Sequence, residues 1–186
     1  ILASASALAL AACASVPAFP TASVMPLAET GLVGASGDSA DDPAIWVSRA
    51  DPAKSLILGT NKQEGLVVFA LNGSERQRLP IGPINNVDVR QGIGSTYDIA
   101  VASNDTQGIS VFSIHRTTGE VMHVNDVPTG KTEPYGICLG THDGAGLAGV
   151  TYKDGTVELW QLDGDAGEVT GTLARSVKLA TQLEGC

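Results

Sequence analysis

The chain has 186 residues, of which 43% are hydrophobic, only 4% are aromatic and 22 are glycines. Its net charge of −9 argues against nucleic acid as a partner, because phosphate backbones need a basic protein face. An anionic ligand would need a local group of lysines or bound cations to offset the protein's own field. The many glycines between short apolar runs indicate many strands joined by tight turns in one domain.

The N-terminal segment has the character of an export signal. Residues 1–13 are small and apolar and end in LAAC, the pattern of a bacterial lipobox in which Cys13 would carry the lipid. No Lys or Arg precedes Arg49, so we interpret residues 1–13 as a truncated signal peptide that lacks its basic front part. The apolar stretch is too short to span a membrane. A secretory signal cleaved at the A-x-A site of residues 12–14 is the alternative.

Either interpretation predicts an extracytoplasmic protein of a bacterium. It would be an outer-membrane lipoprotein, in contact with the membrane only through an N-terminal lipid anchor, or a periplasmic or secreted protein. Residues 14–40 are rich in Ala, Ser, Pro and Gly and are predicted to form a tether and lead-in rather than core.

From Asp41 onward the chain repeats one pattern. The segments that begin at Leu56, Asp98 and Leu147 each have an apolar strand, a polar turn with glycine, an alternating strand, a second turn and a third strand. A further short strand with a polar start precedes each segment, as in DDPAIWV, NNVDVR and PYGICLG, and LEGC begins a fourth copy. The polar residues that open these strands, at positions 42, 86, 135 and 184, are 44, 49 and 49 residues apart.

Four strands in a period of about 45 residues are typical of a β-propeller blade. Residues 41–186 are therefore predicted to be all-β, with three whole blades and the start of a fourth. Since propellers have roughly 4–8 blades around a closed ring, this would be part of a larger propeller. A single β-sandwich, the alternative, would not explain the repeated register.

The repeat predicts that polar residues from different blades meet on one face. The first strand of a blade starts at this face, and the turn between the second and third strands returns to it. The residues that open the first strands are Asp42, Asn86, Tyr135 and Glu184, and the equivalent turn residues are Lys62, Asp105 and Lys153. Carboxylates bind hard cations such as Ca²⁺, and lysines bind phosphate oxygens. The mixture suits metal-assisted hydrolysis of a phosphomonoester by a bridging water.

The same residues carry a resemblance to a known family. The motifs DDPAIWV, GTNKQEGLVVF, NNVDVR, DIAVASN, PYGICL, VTYKDGTVELWQL and TQLEG resemble, in this order, the first half of a β-propeller phytase. These are the calcium-dependent alkaline phytases of bacteria, and the resemblance runs from about Glu29 to Cys186. It implies a six-bladed propeller in the complete protein and several Ca²⁺ ions as cofactors. It also implies phytate (myo-inositol hexakisphosphate) as the substrate, bound as its calcium complex.

The resemblance also implies roles for individual residues. Lys62 and Lys153 match the phosphate-binding lysines of the cleavage site, and Tyr135 matches the tyrosine of that site. Asp154 stands where the family usually has a glutamate, so it is predicted to be both a catalytic residue and a metal ligand with a shortened side chain.

Calcium ligands are implied at other acidic positions. Glu184 matches a calcium-ligating glutamate, and Asp41 matches an acidic residue at the calcium cluster. We add Asp42 to this metal set, with a structural role at the start of the blade as its alternative. Glu29 and Asp38 fall at acidic positions of the family's lead-in.

Two departures and the missing blades leave a second function open. Asp105 stands where the family commonly has an arginine, and Gln63 replaces a frequent second lysine. The later blades would carry further calcium carboxylates, so we expect the segment alone to be inactive. The whole protein, a monomer in this interpretation, would be an enzyme. The alternatives are a non-catalytic propeller lipoprotein that binds a phosphorylated ligand or a protein partner, and a lactonase-like propeller, against which the lysine pair argues.

Overall fold

The computed structural model of the chain describes residues 21–34, 36–164 and 166–185. Within these residues the chain forms twelve β-strands and one short 3-10 helix at Pro52–Lys54. None of its described helical segments has the length and apolarity needed to cross a membrane. The predicted signal peptide, the predicted lipidation at Cys13 and the first part of the predicted tether lie outside the described residues.

The strands form three four-stranded antiparallel sheets, and in each sheet the strands are neighbours in chain order. Blade 1 consists of β1 (Ala40–Trp46), β2 (Leu56–Asn61), β3 (Gly65–Ala70) and β4 (Glu75–Leu79). Blade 2 consists of β5 (Ile84–Arg90), β6 (Tyr97–Asn104), β7 (Gly108–His115) and β8 (Val121–Val127). Blade 3 consists of β9 (Pro134–His142), β10 (Ala145–Tyr152), β11 (Thr156–Gly164) and β12 (Val169–Lys178).

The three sheets are arranged side by side as propeller blades. Strand β1 packs beside β5, and β5 packs beside β9, while the fourth strands contact one another more sparsely, β4 with β8 and β8 with β12. The first strands therefore lie on the inner side and the fourth strands on the outer side, as in a propeller. The predicted all-β propeller architecture is confirmed, and the three described sheets do not close a ring. Leu183 and Glu184 continue beyond β12 in irregular backbone rather than in a strand.

The core lies between adjacent blades. One apolar cluster joins blades 1 and 2 and includes Trp46, Leu58 and Phe112, and a second joins blades 2 and 3 and includes Val111 and Leu139. Because successive side chains of a strand point to opposite faces, Val111 and Phe112 of β7 serve different clusters. Blade 2 is thus covered on both faces, which explains why its central strands β6 and β7 are buried along almost their whole length.

A serine hydroxyl connects the first strands of blades 2 and 3. The Oγ of Ser103, near the end of β6, accepts a hydrogen bond of 3.0 Å from the backbone N–H of Asn86. The same hydroxyl donates a 3.0 Å hydrogen bond to the backbone carbonyl of Tyr135. One side chain thus joins the opening residue of its own blade to that of the next blade.

Threonines at the equivalent positions make related contacts. Thr151 Oγ1 accepts from Gly136 N–H at 3.1 Å and donates to the carbonyl of Glu184 at 3.1 Å. Glu184 is therefore held where a fourth blade would open. In blade 1, Thr60 Oγ1 accepts from the N–H of Asp42 at 2.8 Å and donates to its carbonyl at 3.2 Å.

A buried carboxylate, that of Asp98, joins blades 1 and 2 at the end of the sheets where the first strands finish. The side chain of Asp98 is only 3% exposed. It accepts hydrogen bonds of 2.8 Å from Trp46 Nε1 in blade 1, from Gly92 N–H and from Arg116 Nε. Burial acts to raise the pKa of Asp98, but the three donors outweigh it and bring the pKa below its ordinary value. The ionised form is therefore the one that the fold stabilises.

We predict that Asp98→Asn destabilises the protein by about 2–3 kcal/mol, because the change removes the carboxylate that pairs with Arg116 and turns one acceptor into a donor. Urea unfolding of the two proteins at neutral pH measures the difference. Asp143→Asn is the matched control, since the Asp143 side chain is 92% exposed, and it should change the free energy of unfolding by less than about 0.5 kcal/mol.

Acid should reduce this difference. Because the pKa of Asp98 is lower in the folded than in the unfolded chain, its contribution is present above the unfolded-state pKa of about 4 and is lost as the pH falls through the folded-state value. A difference between wild type and Asp98→Asn that stays constant or grows below about pH 4 would contradict this account.

Candidate functional site

The candidate site lies on the face where the first strands start. In each blade the start of the first strand pairs with the end of the second strand, as Ala40 with Asn61 and Ile84 with Asn104. The turns between the second and third strands therefore project from the same ends of the sheets as the residues that open the blades. This face carries six of the predicted site residues of the repeat, namely Asp42, Lys62, Asn86, Asp105, Tyr135 and Lys153.

Local hydrogen bonds shape the turns that present the charged residues. The side-chain oxygen of Asn61 accepts a 2.9 Å bond from Gln63 N–H, and that of Asn104 accepts a 3.0 Å bond from Thr106 N–H. In such Asx turns the side-chain oxygen acts as an additional acceptor that stabilises the chain reversal. In blade 3 a tyrosine replaces the asparagine, and Asp154 Oδ1 takes over by accepting a 2.8 Å bond from Thr156 N–H.

Lys153 and Tyr135 are brought together by the structure. The ammonium of Lys153 lies 4.7 Å from the centroid of the half-buried Tyr135 ring, a cation–π arrangement. The lysine itself is exposed. Within the described residues, no carboxylate forms an ion pair with it, so its charge is available to an anionic ligand.

Lys62 has a different environment. Its ammonium lies 3.2 Å from Asp41 Oδ1 and 3.4 Å from Asp38 Oδ2, and its side chain is 21% exposed. Its backbone N–H donates a 2.8 Å bond to the carbonyl of Ser39, which ties the turn to the lead-in segment. Partial burial acts to lower the pKa of Lys62, but Asp41 and then Asp38 raise it above its ordinary value.

Asp42 connects blades 1 and 2. Its Oδ2 accepts a 3.0 Å hydrogen bond from Val87 N–H of blade 2. Partial burial raises the pKa of Asp42, against the lowering effect of the bonds to Val87 and Asn86. Next to it, Asn86 Oδ1 is a buried side-chain oxygen without a hydrogen-bond partner among the described residues.

Asp154 faces other lysines rather than Lys153. Its Oδ2 lies 2.7 Å from Lys178 Nζ and 3.6 Å from Lys131 Nζ. The hydrogen bond from Lys178, followed by those from Thr156, lowers the pKa of Asp154 well below its usual range. The carboxylate is thus held as an anion at the base of the hairpin, and its predicted catalytic and metal-binding roles stay predictions.

The remaining predicted residues have the following places. Asp105 Oδ1 accepts a 2.6 Å hydrogen bond from Asn85 Nδ2, so the anion at this turn is engaged within its own blade. Glu184 is exposed, with its backbone held by Thr151. Glu29, in the lead-in, is also exposed.

The sequence did not predict that Lys131 lies on this face. The loop before β9 brings Lys131 to the blade 3 hairpin, where its ammonium donates a 2.8 Å bond to Thr156 Oγ1. In the same loop, Glu133 has a φ of 57°, a left-handed conformation that non-glycine residues rarely adopt. The TGKTEP stretch is irregular, so no periodic signal indicates where its lysine points.

The described residues do not form a complete calcium site by themselves. Calcium takes about six to eight oxygen ligands. Among residues 21–34, 36–164 and 166–185, no three His, Cys, Asp or Glu side chains are grouped so that they could hold a metal ion. On this face the carboxylates of Asp38 and Asp41 both contact the ammonium of Lys62. The donor set of these residues is therefore incomplete for calcium.

Comparison with known proteins agrees with this architecture. The family model for phytase matches residues 1–186. The chain is also similar to the 3-phytase of Bacillus subtilis (strain 168), with 40% identity over 170 residues, covering 84% of this chain and 44% of the relative. The chain thus spans less than half of that relative's length. The family match over the full sequence and the identity to this relative confirm the resemblance carried by the motifs, and the chain belongs to the phytase family.

Proposed function

We propose that the whole protein is a calcium-dependent phytase of the 3-phytase type, a phosphoric monoester hydrolase. It would hydrolyse phosphomonoesters of myo-inositol hexakisphosphate and release inorganic phosphate. The observation that carries the proposal is the ammonium of Lys153, which Tyr135 orients at 4.7 Å and which has no carboxylate partner among the described residues. In a member of the phytase family, such a cation suits a phosphate oxygen.

The two lysines would bind the phosphate that reacts. A lysine ammonium has three donors and acts as a point charge toward phosphate oxygens. Tyr135 would hold Lys153 through its ring, and its hydroxyl can donate a hydrogen bond to another phosphate oxygen. Because Lys62 and Lys153 stand at equivalent turns of blades 1 and 3, they would approach the phosphate from different sides.

The acidic residues would balance the charge of the substrate through calcium. Calcium, when bound, would offset the phosphate charges and activate the attacking water. Asp41, Asp42, Asp154 and Glu184 remain the proposed contributors. Glu184 suits this role better than the three aspartates, because the carboxylates of Asp41, Asp42 and Asp154 already contact Lys62, Val87 N–H and Lys178 respectively. Further ligands would come from the part of the protein that this chain does not span.

The place of action is proposed on the sequence alone. We propose that the protein works outside the cytoplasm as a monomer, either anchored through a lipid on Cys13 or secreted. Its net charge of −9 argues against nucleic acid as a partner, and we propose a small-molecule substrate.

We predict that Lys153→Ala lowers kcat/KM for phosphate release from phytate by about a hundredfold in the whole protein, because it removes a charged contact to the reacting phosphate. Phosphate release in the presence of calcium is the measurement. Lys54→Ala is the matched control, since Lys54 is 69% exposed and lies in the connection between β1 and β2, away from this face. Equal losses in the two variants would argue against a site role for Lys153.

We also predict that a calcium chelator abolishes phosphate release and that added calcium restores it, because the substrate charge cannot otherwise be offset on an acidic protein. Full activity in chelator would show that the calcium dependence is wrong. If a folded whole protein released no phosphate at any calcium concentration, the non-catalytic binding protein would become the better account, with Asp105 as the first residue to examine.

A further inference from the structure

Cys138 of β9 is the one cysteine among the described residues, and it is disulfide-bonded. The chain has two further cysteines, Cys13 and Cys186, and both lie outside the described residues. The partner of Cys138 is therefore one of these two. The contacts of the described residues that precede Cys186 distinguish between them.

The segment before Cys186 is held against the first strand of blade 3. Thr151 Oγ1 accepts a hydrogen bond from the Gly136 N–H and donates one to the Glu184 carbonyl, each at 3.1 Å. A Cβ atom at position 136 would collide with the carbonyl of Glu184, so a glycine is needed for this close approach of the two backbones. Cys138 lies two residues after Gly136, and Cys186 lies two residues after Glu184.

The preceding pair of blades shows which way side chains at such positions point. Ser103 joins Asn86 and Tyr135 in the same way. The residues two positions further on are Asp88 and Ile137. The Asp88 carboxylate reaches toward blade 3, where it accepts a 2.7 Å hydrogen bond from a backbone N–H of β9. Ile137 packs in the apolar cluster between blades 2 and 3. The two side chains thus point into the same space between the blades.

The same geometry at the next pair of blades would bring the two cysteines together. Cys138 stands at the position of Asp88, and Cys186 stands at that of Ile137. Because the first strands of the blades all start at one face, the first strand of blade 4 would run parallel to β9. Disulfides need Cα atoms about 4.4–6.8 Å apart, and parallel segments with backbones in contact meet this requirement. Cys138 is half-buried, as expected for a side chain that faces blade 4.

Cys13 suits the disulfide less well. In the lipidation proposed for it, its sulfur would carry the lipid and could not form a disulfide. The lead-in segment, which connects Cys13 to the propeller, contacts blade 1, where the Gly31 N–H donates a 3.1 Å hydrogen bond to the Gly73 carbonyl. This contact lies two blades away from Cys138.

We propose that Cys138 and Cys186 form a disulfide that fastens the start of blade 4 to the first strand of blade 3. The oxidant is another disulfide, of the kind that exchanges with thiols outside the cytoplasm. The thiolate of one cysteine attacks the oxidant's disulfide, and the thiolate of the other then displaces the oxidant. The oxidant leaves as a dithiol, having taken up the two electrons and two protons that the cysteines lose.

The crosslink would act on the unfolded and on the folded chain. It joins positions about 48 residues apart, one period of the repeat, and the loss of unfolded-state entropy increases with the length of the closed loop. In the folded chain it would fix the backbone two residues after Glu184, in addition to the hydrogen bond from Thr151. The start of blade 4 would thus be held by a covalent bond as well as by a hydrogen bond.

Peptide mapping of the whole protein, produced by export to the bacterial periplasm, tests the pairing. The protein is alkylated with iodoacetamide without a reductant and is then digested with trypsin. We expect the peptide of residues 132–153, which contains Cys138, to be joined to the peptide that starts at Leu179, and a reductant should separate them. Alkylated Cys138, or Cys138 joined to Cys13 or to any other cysteine, would overturn the proposal.

Thermal unfolding tests whether the two cysteines act as a pair. Cys138→Ser, Cys186→Ser and the double variant should each lower Tm by about 5 °C, because the second substitution has no crosslink left to remove. A reductant should lower the Tm of wild type by about 5 °C more than that of the double variant. Additive losses in the double variant, or equal effects of the reductant on both proteins, would contradict the crosslink. Neither measurement involves phytate, so the outcome is independent of the proposed function.

Discussion

The hydroxyl near the end of the second strand of each blade is the constraint on which the candidate site depends. In blade 2, Ser103 accepts a hydrogen bond from Asn86 N–H and donates one to the Tyr135 carbonyl, each at 3.0 Å. A hydroxyl can do both at once, whereas alanine could do neither. Because the backbone of Tyr135 is fixed in this way, its ring lies where Lys153 of the neighbouring hairpin can contact it.

The residues that pack in the core and the residues of the candidate site lie in different parts of the blades. The faces of the blades pack against each other, so side chains such as Val111 and Phe112 are fully buried in the core. The turns and the first residues of the inner strands carry the predicted site residues, as expected where a rigid scaffold presents its loops. In a chain of net charge −9, lysines of different loops thereby lie on one face, where Lys62 is paired with carboxylates and Lys153 contacts the ring of Tyr135.

Much of the fold could be predicted because its signals are local and repeated. Alternation, turn residues and the spacing of positions 42, 86, 135 and 184 were sufficient to predict the blades and the equivalence of Lys62 with Lys153. The sequence could also predict that Tyr135 and Lys153 share a face. The strand expected after Leu183 is the exception, since residues there have irregular backbone.

Pairings between distant segments could not be predicted. A bulge in the pairing of β11 with β12, between Leu159 and Trp160, sets Lys178 opposite Thr156, and this register brings Lys178 to Asp154. The contacts of Lys131 with Thr156 and of Asp38 with Lys62 likewise depend on irregular segments whose path has no periodic signal. These pairings decide which charges of the face form ion pairs and which do not. The ion pairs of the site could therefore be identified only from the structure.

A crystal structure of the whole protein with inorganic phosphate, the proposed product, would test most directly that this face is the phosphate site. We predict that phosphate is bound within hydrogen-bond distance of Lys153 Nζ. A second groove, of about 600 Å³, is lined by Lys54, Arg76 and Glu120 among others, at the other ends of the strands. Phosphate bound only there, with Lys153 free of it, would contradict the account.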